Sequence, residues 1–322
     1  MKAAVLHVLG KVPRCEHFSD PEAKDGEVVV RVRAAALKPI DQQMASGLHY
    51  ASQHQLPVVC GTDGVGVLRD GKRVFFAGPR PPYGAMAEQT VVAAMRCFPL
   101  PDNIDEVTAA AVFNPGLSAF GALTWRAQVA PGETVLILGA TGVTGKLVIQ
   151  TAKMLGAGRV VAAGRNEEVL RTLPALGADS TIRLDTSGKV LADAFAHEAG
   201  GKGFDVVIDY LWGAPTEALL SAITRKDFNP AASRVRLVQV GESAGATIAL
   251  PAAVLRSSRL EILGAGSGSA PTSREAWGDA IRWLLDNVAS GALRIETERV
   301  GLEDIESEWG KERHGRRAVV IP

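Results

Sequence analysis

The chain lacks any surplus of charge. Its 322 residues include 35 Lys plus Arg and 35 Asp plus Glu, a formal net charge of zero. A nucleic-acid binder needs basic residues in excess to neutralise phosphates, and an anionic membrane surface asks for the same, so neither partner is expected. Aromatic residues are scarce at 5 %, which leaves the core to Ala, Val, Leu and Ile. Only three cysteines occur, Cys15, Cys60 and Cys97, and none forms a C-x-x-C pair. A disulfide framework and a zinc knuckle are thereby excluded. No stretch approaches the roughly 20 apolar residues of a membrane span. The first residues, Met1 to Leu6, lack the long apolar run of a signal peptide, so a soluble, cytoplasmic protein is expected.

What is present is an ordinary globular composition, 47 % hydrophobic and 22 % charged, with 34 glycines. At roughly 150 residues per domain, the length suggests about two domains. The first third reads as short strands and turns. Glu27–Arg33 is rich in valine and follows the turn dipeptide Asp25-Gly26. Gly64–Leu68 and Arg73–Phe76 flank the turn Arg69–Lys72. From Thr134 to about Leu263 the pattern changes to buried strands alternating with helices. Thr134–Leu138, Arg159–Ala163, Phe204–Asp209 and Arg236–Val240 read as strands, and 145–155 and 167–176 as helices. Continuously apolar strands alternating with helices indicate a parallel sheet covered on both faces. A further amphipathic helix follows Pro271, with Thr272-x-x-Glu275 in the form of a capping box. Arg317–Ile321 closes the chain as a strand. The expected organisation is an α/β block, 118–263, enclosed by a discontinuous domain of 1–117 plus 264–322.

The most informative segment runs from Leu138 to Lys146. It follows a buried strand, opens a helix and places glycines at 139, 142 and 145. Such a loop brings backbone amides to a pyrophosphate at the helix start, so Gly139, Thr141, Gly142, Val143, Thr144 and Gly145 are candidate phosphate contacts. The end of the next strand reads out the cofactor. An NAD enzyme has an acid there for the ribose hydroxyls. This chain has Gly164-Arg165-Asn166, with no acid before Glu167. Arg165 suits a 2′-phosphate through a charge-assisted contact, which points to NADPH. The alternative reading makes Arg165 a solvated residue near the helix start.

These segments together resemble the medium-chain dehydrogenase/reductase superfamily, in its zinc-free quinone oxidoreductase branch. Ala34–Asp41 resembles A-A-x-x-N-P-x-D, and Gly61–Val67 resembles G-x-[DE]-x-x-G-x-V. Pro131–Leu136 followed by Gly139–Gly142 resembles P-G-[ED]-x-V-L-[IV]-x-G-A-[AS]-G, and Asp205–Asp209 is similar to a family strand. The resemblance covers essentially the whole chain. It implies a Rossmann-type doubly wound parallel sheet inserted in a GroES-like, mainly β catalytic domain, a cleft between the two, and a homodimer. It also implies that Ser118 contacts the cofactor and that Gly241, Gly264, Gly266 and Ser267 border the nicotinamide. Two departures stand out. Gly142-Val143-Thr144-Gly145 replaces the usual Gly-Gly-Val-Gly, and a tyrosine that often meets the 2′-phosphate is Leu184 here, with Arg183 beside it as a substitute.

Zinc-dependent relatives place Cys where Lys38 stands and His where Thr62 stands, and neither residue supplies the expected ligand. His49 and His54 lie near Cys60 at a spacing that fits no standard ligand set. No metal is therefore expected. Without a Lewis acid, hydride delivery to a quinone or α,β-unsaturated carbonyl fits better than alcohol oxidation. Tyr50 resembles a tyrosine of enoyl reductases in this superfamily, as a proton donor or a pocket-lining residue. Lys38 either steadies an oxyanion or points at solvent, and Asp41 is either catalytic or a structural acceptor. An enoyl-thioester reductase and a non-catalytic NADPH-binding sensor or structural dimer are the competing functions. A short-chain dehydrogenase is excluded because no Tyr-x-x-x-Lys occurs.

Overall fold

The computed structural model describes residues 1–185, 188–224 and 234–322. They form two compact units, one of residues 1–114 with 285–322 and the other of residues 115–284.

The second unit is built on six parallel strands. Thr134–Leu138 pairs with Arg159–Gly164 on one side and Val206–Asp209 on the other. Ser180–Arg183 extends the first side, and Val235–Gln239 and Leu260–Gly264 extend the second. In order of sequence this is 3-2-1-4-5-6, the doubly wound Rossmann arrangement, whose strand order reverses between the first and fourth strands. Val135, Leu136, Ile137 and Leu138 are all fully buried, because helices cover both faces of a parallel sheet.

The two strands that patterning missed, Ser180–Arg183 and Leu260–Gly264, are the edges. They are partly exposed and carry no continuous apolar run. The helix read over 167–176 is α-helical only at Glu167–Thr172 and tightens to 3₁₀ over Leu173–Leu176. Pro174 sits at that junction and has no amide to continue the α-helical ladder.

The helix Arg274–Ala289 begins one residue later than the capping box suggested. Ser273 caps it in place of Thr272, its Oγ accepting from the Ala276 amide at 3.3 Å. The two compact units divide a second time between residues 284 and 285. Trp277 packs edge-on against Trp125, and Trp283 stacks near Phe120, so 265–284 pack with the parallel-sheet unit.

The first unit is mainly β. Its larger sheet runs Thr297–Gly301, Arg317–Ile321, Glu27–Ala36, Asp63–Val67, Arg73–Ala77, Cys97–Pro99, with Gln89–Ala93 paired to the first half of Glu27–Ala36. The second half of that long strand pairs with the C-terminal strand, Ala36 with Val319 and Ala35 with Val320. Residues far apart in sequence thus share one sheet. A smaller sheet orders Arg14–His17, Lys2–Leu6 and Val58–Val59. This is the GroES-like architecture expected beside the Rossmann sheet.

The helix Glu106–Gly121 with its continuation Ala122–Arg126 corrects the expectation that no segment approaches a membrane span. By length and composition it passes that test, but 67 % of its most apolar window is buried inside the protein. It is a long core helix whose apolar character comes from Ala, Val, Leu and Phe between scattered polar residues.

Candidate functional site

In the parallel-sheet unit, the loop after Thr134–Leu138 turns at Gly139, whose φ is +91°. The amides of Gly139 and Ala140 both bond the carbonyl of Ala163, at 3.0 and 2.9 Å, which ties the loop to the second strand. A side chain at Gly145 would meet Ala140 Cα at 2.6 Å, so this glycine sets how closely the helix packs on the loop. Gly142 differs: a Cβ there would meet only Gly139 O, at 3.4 Å. Gly142 is the N-cap of the helix Val143–Met154 and offers no side chain to the orphan amides. Lys146 is the first residue whose amide bonds back, to Gly142 O at 3.0 Å. The amides of Val143, Thr144 and Gly145 are the donors that a helix N-terminus leaves for an anion. The cradle fits a dinucleotide pyrophosphate.

At the end of the second strand, Gly164 leaves room for Thr141, whose Oγ1 lies 2.9 Å from where a Cβ would stand. Arg165 follows, exposed and without an ion pair among the described residues. Arg183 lies beside it on the neighbouring strand, in register with Gly164, but its guanidinium is taken by Glu167 at 2.7 Å and by Asp185. Asn166 caps the helix Glu167–Thr172, its side chain accepting from the Val169 amide at 3.0 Å. The structure thus separates three residues that the sequence grouped. Arg165 alone presents an uncommitted cation, Arg183 serves an ion-pair cluster, and Asn166 serves a helix.

Gly241 bonds the carbonyl of Asp209 through its amide at 3.2 Å, and a Cβ on it would lie 2.8 Å from Tyr210 O. Gly264 ends the sixth strand in register with Gln239, and neither Gly264 nor Gly266 has an atom within 4 Å of a would-be Cβ. The side chain of Ser267 lies outside what is described. Ser118 lies on the long helix, and its hydroxyl neighbours the phenol of Tyr210, a residue that sequence reasoning passed over. Asp209 is fully buried, accepting from the amides of Leu211 and Trp212 and from Thr216 Oγ1 at 2.6 Å. Burial raises its pKa, and these donors offset part of the rise.

In the mainly β unit, Lys38, Asp41 and Asp63 form a buried ion cluster. Lys38 is 2 % exposed and does not point at solvent. Its ammonium donates to Asp63 Oδ1 at 3.0 Å and Ala36 O at 3.1 Å, and lies 3.2 Å from Asp41 Oδ2. Three protons meet three acceptors. Asp41 Oδ1 accepts from both the amide and the hydroxyl of Thr62, each at 3.0 Å. Burial alone would lower the Lys38 pKa, but the two carboxylates hold it above its ordinary value. Sequence reasoning missed Asp63 and Arg317, whose guanidinium donates to Leu37 O at 2.9 Å. The signal for Asp63 was the acidic position of its own G-x-[DE] motif. Tyr50 stands elsewhere in the unit, 82 % exposed, its ring 4.2 Å from that of His49. A cavity of about 140 Å³ in the same unit is walled by Asp41, Cys60 and Thr62 together with Met44, Pro82 and Tyr83.

Residues 143–286 match the family described as zinc-binding dehydrogenase, and residues 24–102 match the alcohol dehydrogenase GroES-like domain. The zinc that the first description implies does not fit the residues present. An ammonium occupies the cation position between Asp41 and Asp63, Thr62 donates its proton to Asp41, and no group of three or more His, Cys, Asp or Glu suited to a metal occurs among the described residues.

A chloroplastic NADPH-dependent alkenal/one oxidoreductase of Arabidopsis thaliana is 34 % identical over half of this chain and 46 % of its own length. The chain therefore spans about half the length of that curated relative. A quinone oxidoreductase of Salmonella typhimurium is 28 % identical over 89 % of the chain and 88 % of its own. Among solved structures, the quinone oxidoreductase of Thermus thermophilus, described with its NADPH complex, is 29 % identical over the full length of both chains, with a TM-score of 0.82.

Proposed function

This chain belongs to the medium-chain dehydrogenase/reductase superfamily, and on that premise we propose that it is a zinc-independent, NADPH-dependent reductase of quinones or α,β-unsaturated carbonyls. One observation carries the cofactor part. Arg165 is an exposed, uncommitted guanidinium directly after Gly164, at the point where an NAD enzyme has an acid. The names of the relatives support the acceptor class, since they act on quinones and on alkenals or enones.

The amides of Val143, Thr144 and Gly145 bind the pyrophosphate at the helix N-terminus. Arg165 holds the 2′-phosphate. Bound NADPH supplies a hydride. The acceptor then takes that hydride and one proton, and its oxygen needs a donor as charge develops. The Tyr50 phenol is the proposed donor. Lys38 and Asp41 act as positioning residues, because their polar atoms are engaged with Asp63 and Thr62.

A homodimer is proposed through the edge strand Leu260–Gly264, where Leu250, Leu255 and Ile262 are exposed apolar side chains. An unpaired edge with apolar neighbours favours covering by a second copy. Light scattering of the purified protein tests the dimer.

The activity is tested by following NADPH consumption with 1,4-benzoquinone, a simple enone and an enoyl thioester. Turnover of the first two supports the reading, and preference for the thioester moves it to enoyl-thioester reduction. Tight NADPH binding with no turnover across the panel replaces it by a sensor or structural dimer.

A further inference from the structure

Tyr210 directly follows the fourth parallel strand, Val206–Asp209, at the C-terminal edge of the sheet. The strand order reverses between the first and fourth strands, and ligands of doubly wound sheets lie outside the carboxyl ends at that reversal. Two glycines clasp the residue. A Cβ on Gly139, in the phosphate loop, would lie 3.2 Å from Tyr210 Cβ, and one on Gly241 would lie 2.8 Å from Tyr210 O. The backbone of Tyr210 therefore occupies the space between the loop after the first strand and the end of the fifth.

Its phenol oxygen is buried and has no hydrogen-bond partner among the described residues. The Ser118 hydroxyl is its polar neighbour, close enough to pull back the pKa rise that burial imposes, but not placed to satisfy it. A buried hydroxyl left without a partner costs stability, typically about 1–3 kcal/mol. Such a group needs an explanation, and a missing ligand atom is one.

We propose that the Tyr210 phenol, beside the Ser118 expected to contact the cofactor, hydrogen-bonds the nicotinamide half of the dinucleotide, through its carboxamide or ribose. The proposal rests on the NADPH reading above. Dinucleotides straddle the reversal point. The adenosine half lies on the side of Gly164 and Arg165, which leaves the nicotinamide half to the side of the fourth and fifth strands. The phenol offers both a donor and acceptor lone pairs, which suits a carboxamide. Because burial keeps the phenol protonated, it remains a donor at every working pH. Tyr210 is then a positioning residue for hydride transfer, setting the nicotinamide against the protein.

The test compares two ligands on the intact protein, NADPH and 2′-phospho-ADP-ribose, which lacks the nicotinamide. Tyr210→Phe keeps the ring and removes only the hydroxyl. Its dissociation constant for NADPH is expected to rise about 3- to 10-fold, the worth of one hydrogen bond, with no change for 2′-phospho-ADP-ribose. Ser118→Ala is expected to behave alike, and the double variant to fall short of the product of the two effects. The thermal midpoint of ligand-free Tyr210→Phe is expected to hold or rise. Equal weakening of both ligands, no weakening of either, or a clear fall in the ligand-free midpoint each overturns the inference and leaves the NADPH reading standing. A wild-type protein that binds neither ligand overturns both.

Discussion

The Lys38 ammonium lies 3.0 Å from Asp63 Oδ1 and 3.2 Å from Asp41 Oδ2, with all three side chains buried. Two carboxylates are thus held in the interior by one ammonium, with the Arg317 guanidinium as a second cation nearby. Burial lowers the Arg317 pKa to about 10, and the same carboxylates partly support it. Removing one partner of a buried ion group strands the others, which costs far more than the pair contributes. Lys38→Met is therefore expected to destabilise the protein by about 3–5 kcal/mol in urea unfolding. A cost below about 1 kcal/mol would show that the carboxylates take up protons or water without strain.

Asp105 caps the long helix, its Oδ1 accepting from the amides of Val107 at 3.1 Å and Thr108 at 2.9 Å. Burial raises its pKa, but these amides, the Thr108 hydroxyl and nearby Arg299 outweigh that and hold it below the ordinary value. A lowered folded pKa means the stabilisation is present above the unfolded value of about 3.9 and fades as pH falls through the folded one. Asp105→Ala is expected to cost about 1 kcal/mol at neutral pH, with the difference from wild type shrinking below about pH 4. A difference that stays flat across that range would contradict the assignment.

Much of this was legible beforehand. The six-stranded sheet announced itself through fully buried strands such as Val135–Leu138, because burial on both faces leaves an apolar run in the sequence. The edge strands Ser180–Arg183 and Leu260–Gly264 did not, since half their residues face water. Lys38 was visible as a candidate, but its role depends on Asp63, 25 residues away, and spacing does not reveal which side chains a fold brings together. Tyr210 stayed hidden for the same reason. Its partner Ser118 lies far earlier in the chain, on another element, and nothing local distinguishes a buried phenol from an exposed one.

The glycines of the phosphate loop separate into two jobs. Gly145→Ala forces a Cβ to 2.6 Å from Ala140 Cα and is expected to lower stability and NADPH affinity together. Gly142→Ala meets only Gly139 O at 3.4 Å, so it is expected to keep the thermal midpoint while weakening NADPH. Paired thermal melts and NADPH titrations distinguish the two. Identical behaviour of both variants would count against a phosphate site at Gly142.

Arg165 and Arg183 form the corresponding contrast for the 2′-phosphate. Arg165→Gln is expected to raise KM for NADPH about 10- to 100-fold while leaving KM for NADH nearly unchanged. Arg183→Gln breaks exposed ion pairs with Glu167 and Asp185 and is expected to change little of either. The reverse pattern would transfer the phosphate contact to Arg183.

The central claim is an NADPH-driven reduction, and it is tested most directly by measuring kcat/KM for NADPH and for NADH with 1,4-benzoquinone as acceptor on the purified protein. The account predicts a preference for NADPH of roughly tenfold or more, unaffected by a zinc chelator. A preference for NADH, or activity that vanishes on chelation and returns with zinc, would contradict it.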